Sequence, residues 1–285
     1  MKIHRKMLGG VILLAMPVAA LAQANPGKIQ KGIETLREQP DDKRPAVTTQ
    51  LALDIRTLPP GEEKLKLADL LSHLATEGDA GPETLQTVVD TLAQALKETP
   101  QPRDKQGKSA EPYMEVARYV RYEGVKTTLD DPQYSEAMQM LVANDVDASK
   151  ADFTLKDMSG KKVTLSELKG KIVLVSFWAT WCPPCRKEMA DLDLIYTHYQ
   201  PQGLVVLSVT SESALTVSKW YQQFGNYHPP ILLDQGSNVS KEFHISGLPT
   251  TFVFDRDGKL AAKAVDMCTQ KQFLGMLMSA GLKLQ

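Results

Sequence analysis

The sequence reads Phe177-Trp-Ala-Thr-Trp-Cys-Pro-Pro-Cys185 where a predicted buried strand, Lys171–Trp178, gives way to a predicted helix, Pro184–Tyr199. A sulfur atom at the start of a helix lies near unsatisfied backbone N–H groups and the positive end of the helix dipole. Both features favour the thiolate of Cys182, and the thiolate is the nucleophilic form of cysteine. The Cys-x-x-Cys pair therefore predicts thiol–disulfide exchange, in which Cys185 attacks and resolves a mixed disulfide.

Two alternative roles for this pair are half of a zinc site and a structural disulfide. Zinc needs four ligands, and although Cys268 and a histidine are available, no histidine lies at ligand spacing. A disulfide that closes so short a loop removes little chain entropy. Pro183 and Pro184 suit a first helical turn, where no N–H donor is needed. We therefore expect a redox-active Cys182–Cys185 disulfide, with no metal site and no other cofactor.

Residues 151–285 alternate between strand and helix patterns around this junction. A hairpin is predicted around Met158-Ser-Gly160 and another around Asp257-Gly258. The predicted strands are 152–155, 162–165, 171–178, 203–209, 230–233, 250–254 and 260–265, and the predicted helices are 184–199, 213–224 and 269–280. This order predicts an α/β fold with a mixed central sheet flanked by helices.

Residues 25–150 show helical patterns and contain no motif that indicates a chemical activity. Apolar residues recur at helical spacing, as in Leu67, Leu70, Leu71 and Leu74. The predicted helices are 46–58, 62–74, 83–96, 112–125 and 132–143, with a polar loop at 100–109. We expect an all-α domain of helical hairpins that binds a partner or forms a homodimer.

Residues 1–24 have the order of a secretory signal peptide. A basic start, Lys2 to Lys6, precedes the apolar run Met7–Ala22, and Ala22-Gln-Ala24 fits the small-x-small pattern of a cleavage site. An uncleaved membrane anchor is the alternative, but it needs about 20 apolar residues. We expect cleavage and a soluble mature protein in a bacterial periplasm.

The composition is that of an ordinary globular protein, and its length of 285 residues suits two domains. A net charge of −1 gives no indication of nucleic-acid binding. Three cysteines are too few, and odd in number, for a disulfide-stapled scaffold. The hydrophobic core must therefore provide the stability, which leaves the cysteines for other roles.

Two separate motifs, Trp181-Cys-Pro-Pro-Cys185 and Gly247-Leu-Pro-Thr250, occur in the order seen in the thioredoxin superfamily, which this half of the chain resembles. The segments 166–171 and 248–258 resemble its secreted TlpA/ResA-like branch more closely. The resemblance covers about residues 150–285. It implies a thioredoxin-like domain there and says nothing about residues 25–150.

The resemblance also implies a cis peptide bond between Leu248 and Pro249, in a loop that faces the cysteines. In this superfamily that loop guards the reactive sulfur, and the backbone just before the proline pairs with an extended substrate. It follows that Trp181, Pro183, Leu248 and Pro249 are the expected substrate-binding residues. The alternative for Pro249 is an ordinary proline at the edge of a strand.

Glu188 matches the branch at a position three residues after Cys185, on the same helix face. A partly buried carboxylate there could shuttle the proton of Cys185. The alternative is a solvated glutamate beside Arg186 and Lys187. Ordinary thioredoxins often have a buried aspartate six residues before the first cysteine, where this sequence has Ser176 and so lacks one candidate base.

Cys268 precedes Thr269-Gln-Lys-Gln272, which fits a helix capping box. One interpretation is that Cys268 packs against Phe273 as a hydrophobic staple. The other is that its loop lies near the active site, where Cys268 could be a modifiable or resolving thiol.

We therefore predict a periplasmic oxidoreductase that acts on the thiols or disulfides of proteins. The resemblance favours the reducing direction, with electrons supplied by a membrane partner. A disulfide oxidase or isomerase is the alternative within the enzyme class. Outside that class, the protein could be an adaptor or chaperone-like protein in which the helical domain has the main role.

Overall fold

The computed structural model describes residues 25–225 and 227–284. Within this part of the chain, six helices precede the first strand. The helices are α1 (Pro26–Glu34), α2 (Arg44–Arg56), α3 (Glu62–Ala75), α4 (Pro82–Glu98), α5 (Glu111–Tyr122), α6 (Pro132–Ala148), α7 (Pro183–Tyr199), α8 (Ala214–Phe224), α9 (Asn238–Glu242) and α10 (Gln270–Ser279). The strands are β1 (Thr154–Asp157), β2 (Lys162–Thr164), β3 (Ile172–Phe177), β4 (Leu204–Thr210), β5 (Ile231–Leu233), β6 (Thr250–Phe254) and β7 (Leu260–Val265). The predicted signal peptide, residues 1–24, lies outside the described residues.

The seven strands form one mixed sheet in the order β2-β1-β5-β4-β3-β6-β7, which confirms the predicted architecture. Strands β3, β4 and β5 run parallel. The β1–β2 hairpin is antiparallel to β5 at one edge, and the β6–β7 hairpin is antiparallel to β3 at the other. Both hairpins occur where the turn residues predicted them.

Strand β3 is buried along its whole length, because hydrophobic cores cover both faces of the sheet. Its side chains alternate between the faces, as a strand requires. Ile172 and Leu174 join the core that contains α7 and α10, whereas Val173, Val175 and Phe177 join the core on the opposite face. An apolar run with no polar alternation is typical of such a doubly covered parallel strand.

Helices α1–α6 form what we call the helical layer (Pro26–Ala148). Helices α1–α5 share a core built from residues such as Ile33, Leu71 and Leu92, and α6 packs on α5 through Ala137 and Leu141. All five helices predicted in this region are present, with ends that match or are shifted by up to five residues. Helix α1 was missed because its buried face consists of only Ile29 and Ile33, too few for a periodic pattern. Helix α9, with five residues, was missed for the same reason.

The helical layer packs against the β7 edge of the sheet through polar contacts. The Gly78 N–H, in the turn between α3 and α4, donates to the Met267 carbonyl at 2.9 Å. Gly78 has a φ of +96°, which favours glycine. The side chain of Lys263 in β7 is 9% exposed, and its amino group contacts Asp145 of α6 and the Tyr122 hydroxyl of α5, both at 3.0 Å. The helical layer and the sheet are therefore in direct contact.

The predicted domain boundary between residues 150 and 151 falls in the short connection from α6 to β1, and it stays a prediction. No helix among the described residues is long and apolar enough to cross a lipid bilayer.

Neighbouring leucines on α3 provide a test of the helical-layer core. Leu71 is fully buried, whereas Leu70 is 37% exposed. We expect Leu71→Ala to lower the free energy of unfolding by about 2–5 kcal/mol, because it leaves a cavity. Leu70→Ala, the matched control, should cost below about 1 kcal/mol. Urea denaturation followed by far-UV circular dichroism measures both, and equal costs would contradict the assigned burial.

Candidate active site

The two cysteines lie where β3 leads into α7. Cys182 is the N-cap residue of α7, and its Sγ accepts a hydrogen bond from the Cys185 N–H at 3.2 Å. Pro183 occupies the first helical position, where the lack of an N–H donor costs nothing. The sulfur of Cys182 therefore contacts a backbone N–H group of the first turn, as the sequence predicted.

Cys182 and Cys185 form a disulfide, with their Cα atoms 5.3 Å apart. Both cysteines are buried. The neighbouring Trp181, by contrast, is 70% exposed, and Pro183 is also exposed. The disulfide thus lies just beneath a surface formed by an aromatic ring and a proline.

The loop before β6 lies at the same end of the sheet as the disulfide. The Leu248–Pro249 peptide bond is cis, as the resemblance implied. Thr250 is paired with Phe177, so Pro249 lies beside the start of the cysteine loop. Leu248 is half-buried against the core that contains both cysteines. The structure therefore brings the four predicted substrate-binding residues to one end of the sheet.

Glu212 anchors the cysteine loop, and the sequence analysis missed it. Its carboxylate accepts hydrogen bonds from the Thr180 N–H at 2.6 Å and from the Thr180 hydroxyl at 2.7 Å. Glu212 follows β4, the parallel neighbour of β3. Because the carboxyl ends of parallel strands meet at one edge of a sheet, a polar residue just after β4 was the available signal.

Glu188 is buried, so the alternative of a solvated glutamate is wrong. Its side chain faces the sheet, where it accepts hydrogen bonds from the Ser176 hydroxyl at 3.3 Å and the Cys268 N–H at 3.2 Å. Burial raises the pKa of Glu188 to about 8, although both hydrogen bonds oppose that rise. Asp191 and Asp266 raise it further by charge repulsion. The carboxyl group is consequently poised to exchange a proton near neutral pH.

Cys268 is buried beside this carboxyl group. The predicted capping box is present, with Thr269 as N-cap and Gln272 as its partner. Cys268 shares an apolar core with Phe273, as the staple interpretation expects, yet its N–H also contacts Glu188, as the alternative expects. Burial, followed by the nearby acidic groups, raises the pKa of the Cys268 thiol well above its usual value. This environment disfavours its reactive thiolate form.

In the stretches 25–225 and 227–284, no three His, Cys, Asp or Glu side chains are grouped as metal ligands would be.

Comparison with known proteins identifies the family. Residues 146–263 match the family model described as the AhpC/TSA family. The thiol-disulfide oxidoreductase ResA of a Bacillus cereus strain is 34% identical over 127 residues, which are 44% of this chain and 73% of that protein. The chain belongs to the ResA family. As a ResA-family member it is a thiol–disulfide oxidoreductase, which confirms the predicted enzyme class and the resemblance.

A second relative agrees with this assignment. ResA of Bacillus subtilis (strain 168) is 36% identical over 121 residues, covering 42% of this chain and 66% of that protein. Among solved structures, a putative thiol:disulfide interchange protein DsbE from Chlorobium tepidum has a TM-score of 0.44 and 25% identity, covering 46% of this chain and 94% of that one. The AhpC/TSA match begins at residue 146, so it leaves α1–α5 outside.

The raised pKa of Glu188 predicts how stability depends on pH. Between pH 4.5 and about 8 the unfolded carboxyl group loses its proton while the folded one keeps it, so unfolding releases a proton. We therefore expect the free energy of unfolding of the wild type, minus that of Glu188→Gln, to decrease as the pH rises through this window. The decrease is at most about 1.4 kcal/mol per pH unit.

Urea denaturation of both proteins, with the disulfide intact, measures this difference from pH 4 to pH 9. Other titrating groups are common to both proteins and cancel in the subtraction. A difference that does not change with pH would show that Glu188 ionises normally in the fold.

Proposed function

We propose that this protein is a periplasmic protein-disulfide reductase in which Cys182 is the nucleophile and Cys185 the resolving thiol. The observation that carries the proposal is the Cys182–Cys185 disulfide at the N-terminus of α7, with the buried carboxyl group of Glu188 one turn further along. No cofactor other than this disulfide is needed for the chemistry.

The first step in this proposal is attack by the Cys182 thiolate on a client disulfide. A bond forms between Cys182 Sγ and one client sulfur, the client S–S bond breaks, and the other client sulfur leaves as a thiolate. The Cys185 N–H, 3.2 Å from Cys182 Sγ, stabilises negative charge there. This contact lowers the cost of forming the attacking thiolate.

The second step is resolution by Cys185. Its sulfur attacks Cys182 Sγ, the bond between Cys182 and the client breaks, and the client's second thiolate leaves. Cys185 is fully buried, so its proton needs an acceptor inside the protein. We propose that Glu188 accepts it, since a carboxyl group whose pKa is about 8 can exchange a proton near neutral pH. The protein ends with its disulfide formed, and the client gains two electrons.

Client binding is proposed to use the surface around the disulfide. Trp181 and Pro183 are exposed beside it, and the Leu248–Pro249 segment lies at the same end of the sheet. An extended client segment would lie across these residues and pair with the backbone just before Pro249. The return of the disulfide to the dithiol then requires an electron donor, which we propose is a membrane protein with a periplasmic dithiol.

The proposed location and assembly rest on the sequence. Residues 1–24 have the order of a signal peptide, and we propose that the remainder works in the periplasm. We also propose that residues 25–150 bind a partner or a second copy of the chain.

The reduction potential of the Cys182–Cys185 pair tests the proposed direction. Equilibration against defined thiol buffers should give a value near that of thioredoxin, about −270 mV, which marks a reductase. A value near that of DsbA, about −120 mV, would instead mean an oxidase or isomerase.

Serine variants test the roles of the two thiols. We expect Cys182→Ser to abolish reduction of a disulfide-bonded protein such as insulin. Cys185→Ser should retain the nucleophile but accumulate a mixed disulfide, visible by non-reducing electrophoresis and mass spectrometry. Circular dichroism checks that each variant is folded. If Cys182→Ser kept full activity in the cell, the adaptor alternative would replace the enzyme proposal.

A further inference from the structure

The segment Asp266–Cys268, which we call the bridging segment, connects β7 to α10 and contacts two parts of the candidate site. The Asp266 N–H donates to the Pro249 carbonyl at 3.0 Å. The Cys268 N–H donates to Glu188 Oε2 at 3.2 Å. One short stretch of backbone therefore supports both the cis-proline loop and the buried carboxyl group.

The helical layer holds the bridging segment from the other side. The Thr76 hydroxyl, at the C-terminus of α3, donates to Asp266 Oδ2 at 2.7 Å. The Gly78 N–H donates to the Met267 carbonyl at 2.9 Å. Thr76 is 8% exposed, so its hydrogen bond is shielded from water. These contacts join residues about 190 positions apart in the sequence.

The backbone of the bridging segment needs such support. Asp266 has a φ of +77°, in the left-handed region that residues with a Cβ atom avoid. A residue persists in this conformation only where the surrounding structure holds it there. The Asp266 side chain binds Thr76 while its N–H binds Pro249, so contacts on both sides hold it.

The surroundings of Glu188 also include residues from both the helical layer and the thioredoxin-like half. A cleft of about 390 Å³ separates the helical layer from α7 and α10, and both Glu188 and Cys268 line it. The other charged residues that line the cleft are Asp41, Arg44, Glu77, Asp79, Asp191, Lys187 and Lys271. Two ion pairs span this cleft, Lys187–Asp41 at 3.1 Å and Lys271–Asp79 at 2.7 Å.

We propose that the turn between α3 and α4 is a positioning element of the redox site. Through the Thr76 hydroxyl and the Gly78 N–H it holds the bridging segment, which in turn places the N–H group that binds Glu188 and the N–H group that binds Pro249. Thr76 is thus a positioning residue that lies in the helical layer. The inference rests on the proposed role of Glu188 as the proton acceptor of Cys185.

Thr76→Val in the full-length protein tests this inference, because valine keeps the shape of threonine and removes the hydroxyl donor. The Cys268 N–H lowers the pKa of Glu188 more strongly than repulsion from Asp266 raises it, so a displaced bridging segment should raise the pKa of that carboxyl group. We expect the midpoint of the pH–rate profile for insulin reduction to rise by roughly half a pH unit or more.

Two controls separate positioning from general destabilisation. Thr76→Ser keeps the hydroxyl donor and should restore the wild-type midpoint. Thr84→Val removes a buried hydroxyl of α4 that contacts only Thr49 among the hydrogen bonds of the described residues, and it should leave the midpoint unchanged. The inference is overturned if Thr76→Val has the wild-type midpoint, or if both valine variants shift it equally.

A measurement on the wild type covers the case in which Thr76→Val does not fold. If the α3–α4 turn is coupled to the redox site, the redox state must affect the turn in return. Amide hydrogen exchange of Gly78 should therefore differ between the oxidised and reduced proteins. Equal exchange in both states would overturn the inference. If Cys182→Ser is inactive but Thr76→Val has the wild-type pH–rate profile, the proposed function stands and this inference fails.

Discussion

Burial of β3 on both faces is the constraint on which the site depends. Because β4 runs parallel to β3 and β6 runs antiparallel, the ends of three connections meet at one end of the sheet. They carry Cys182 after β3, Glu212 after β4 and Pro249 before β6. A one-residue slip of β3 would exchange its two faces and turn Phe177 out of its core. Packing of the hydrophobic cores therefore fixes the position of the disulfide independently of the contacts within the site.

The same packing explains why a carboxyl group is buried. The buried face of α7 carries Cys185, Glu188, Met189 and Leu192, and the last two residues pack against the sheet. Helical spacing then directs Glu188 inward with them. Its charged form loses hydration there, and the Ser176 hydroxyl and the Cys268 N–H replace part of it. The result is an acid whose affinity for a proton is strengthened by hydrophobic burial.

Local sequence patterns predicted most of the thioredoxin-like half. The β3–α7 junction and both hairpins follow from apolar runs and turn residues within a few positions of each other, whereas the cis proline was implied by the family resemblance. Sequence analysis left the burial of Glu188 open, because its spacing from Cys185 favours an inward position while Arg186 and Lys187 beside it are typical of a solvated helix. Its environment depends on Cys268, 80 positions away. The contact between Thr76 and Asp266 likewise has no local signature, since tertiary packing alone creates it.

The position of the acid also determines which part of the protein surrounds it. At position 176, in β3, an acid would be enclosed by the sheet and its cores, and this chain has a serine there. At position 188 the acid lies on α7, next to the cleft that faces the helical layer. The electrostatic energy of a buried charge depends on the dipoles and solvent nearby. A layer that carries no chemical motif of its own can therefore influence the redox chemistry, because it forms one wall around the group that holds the proton.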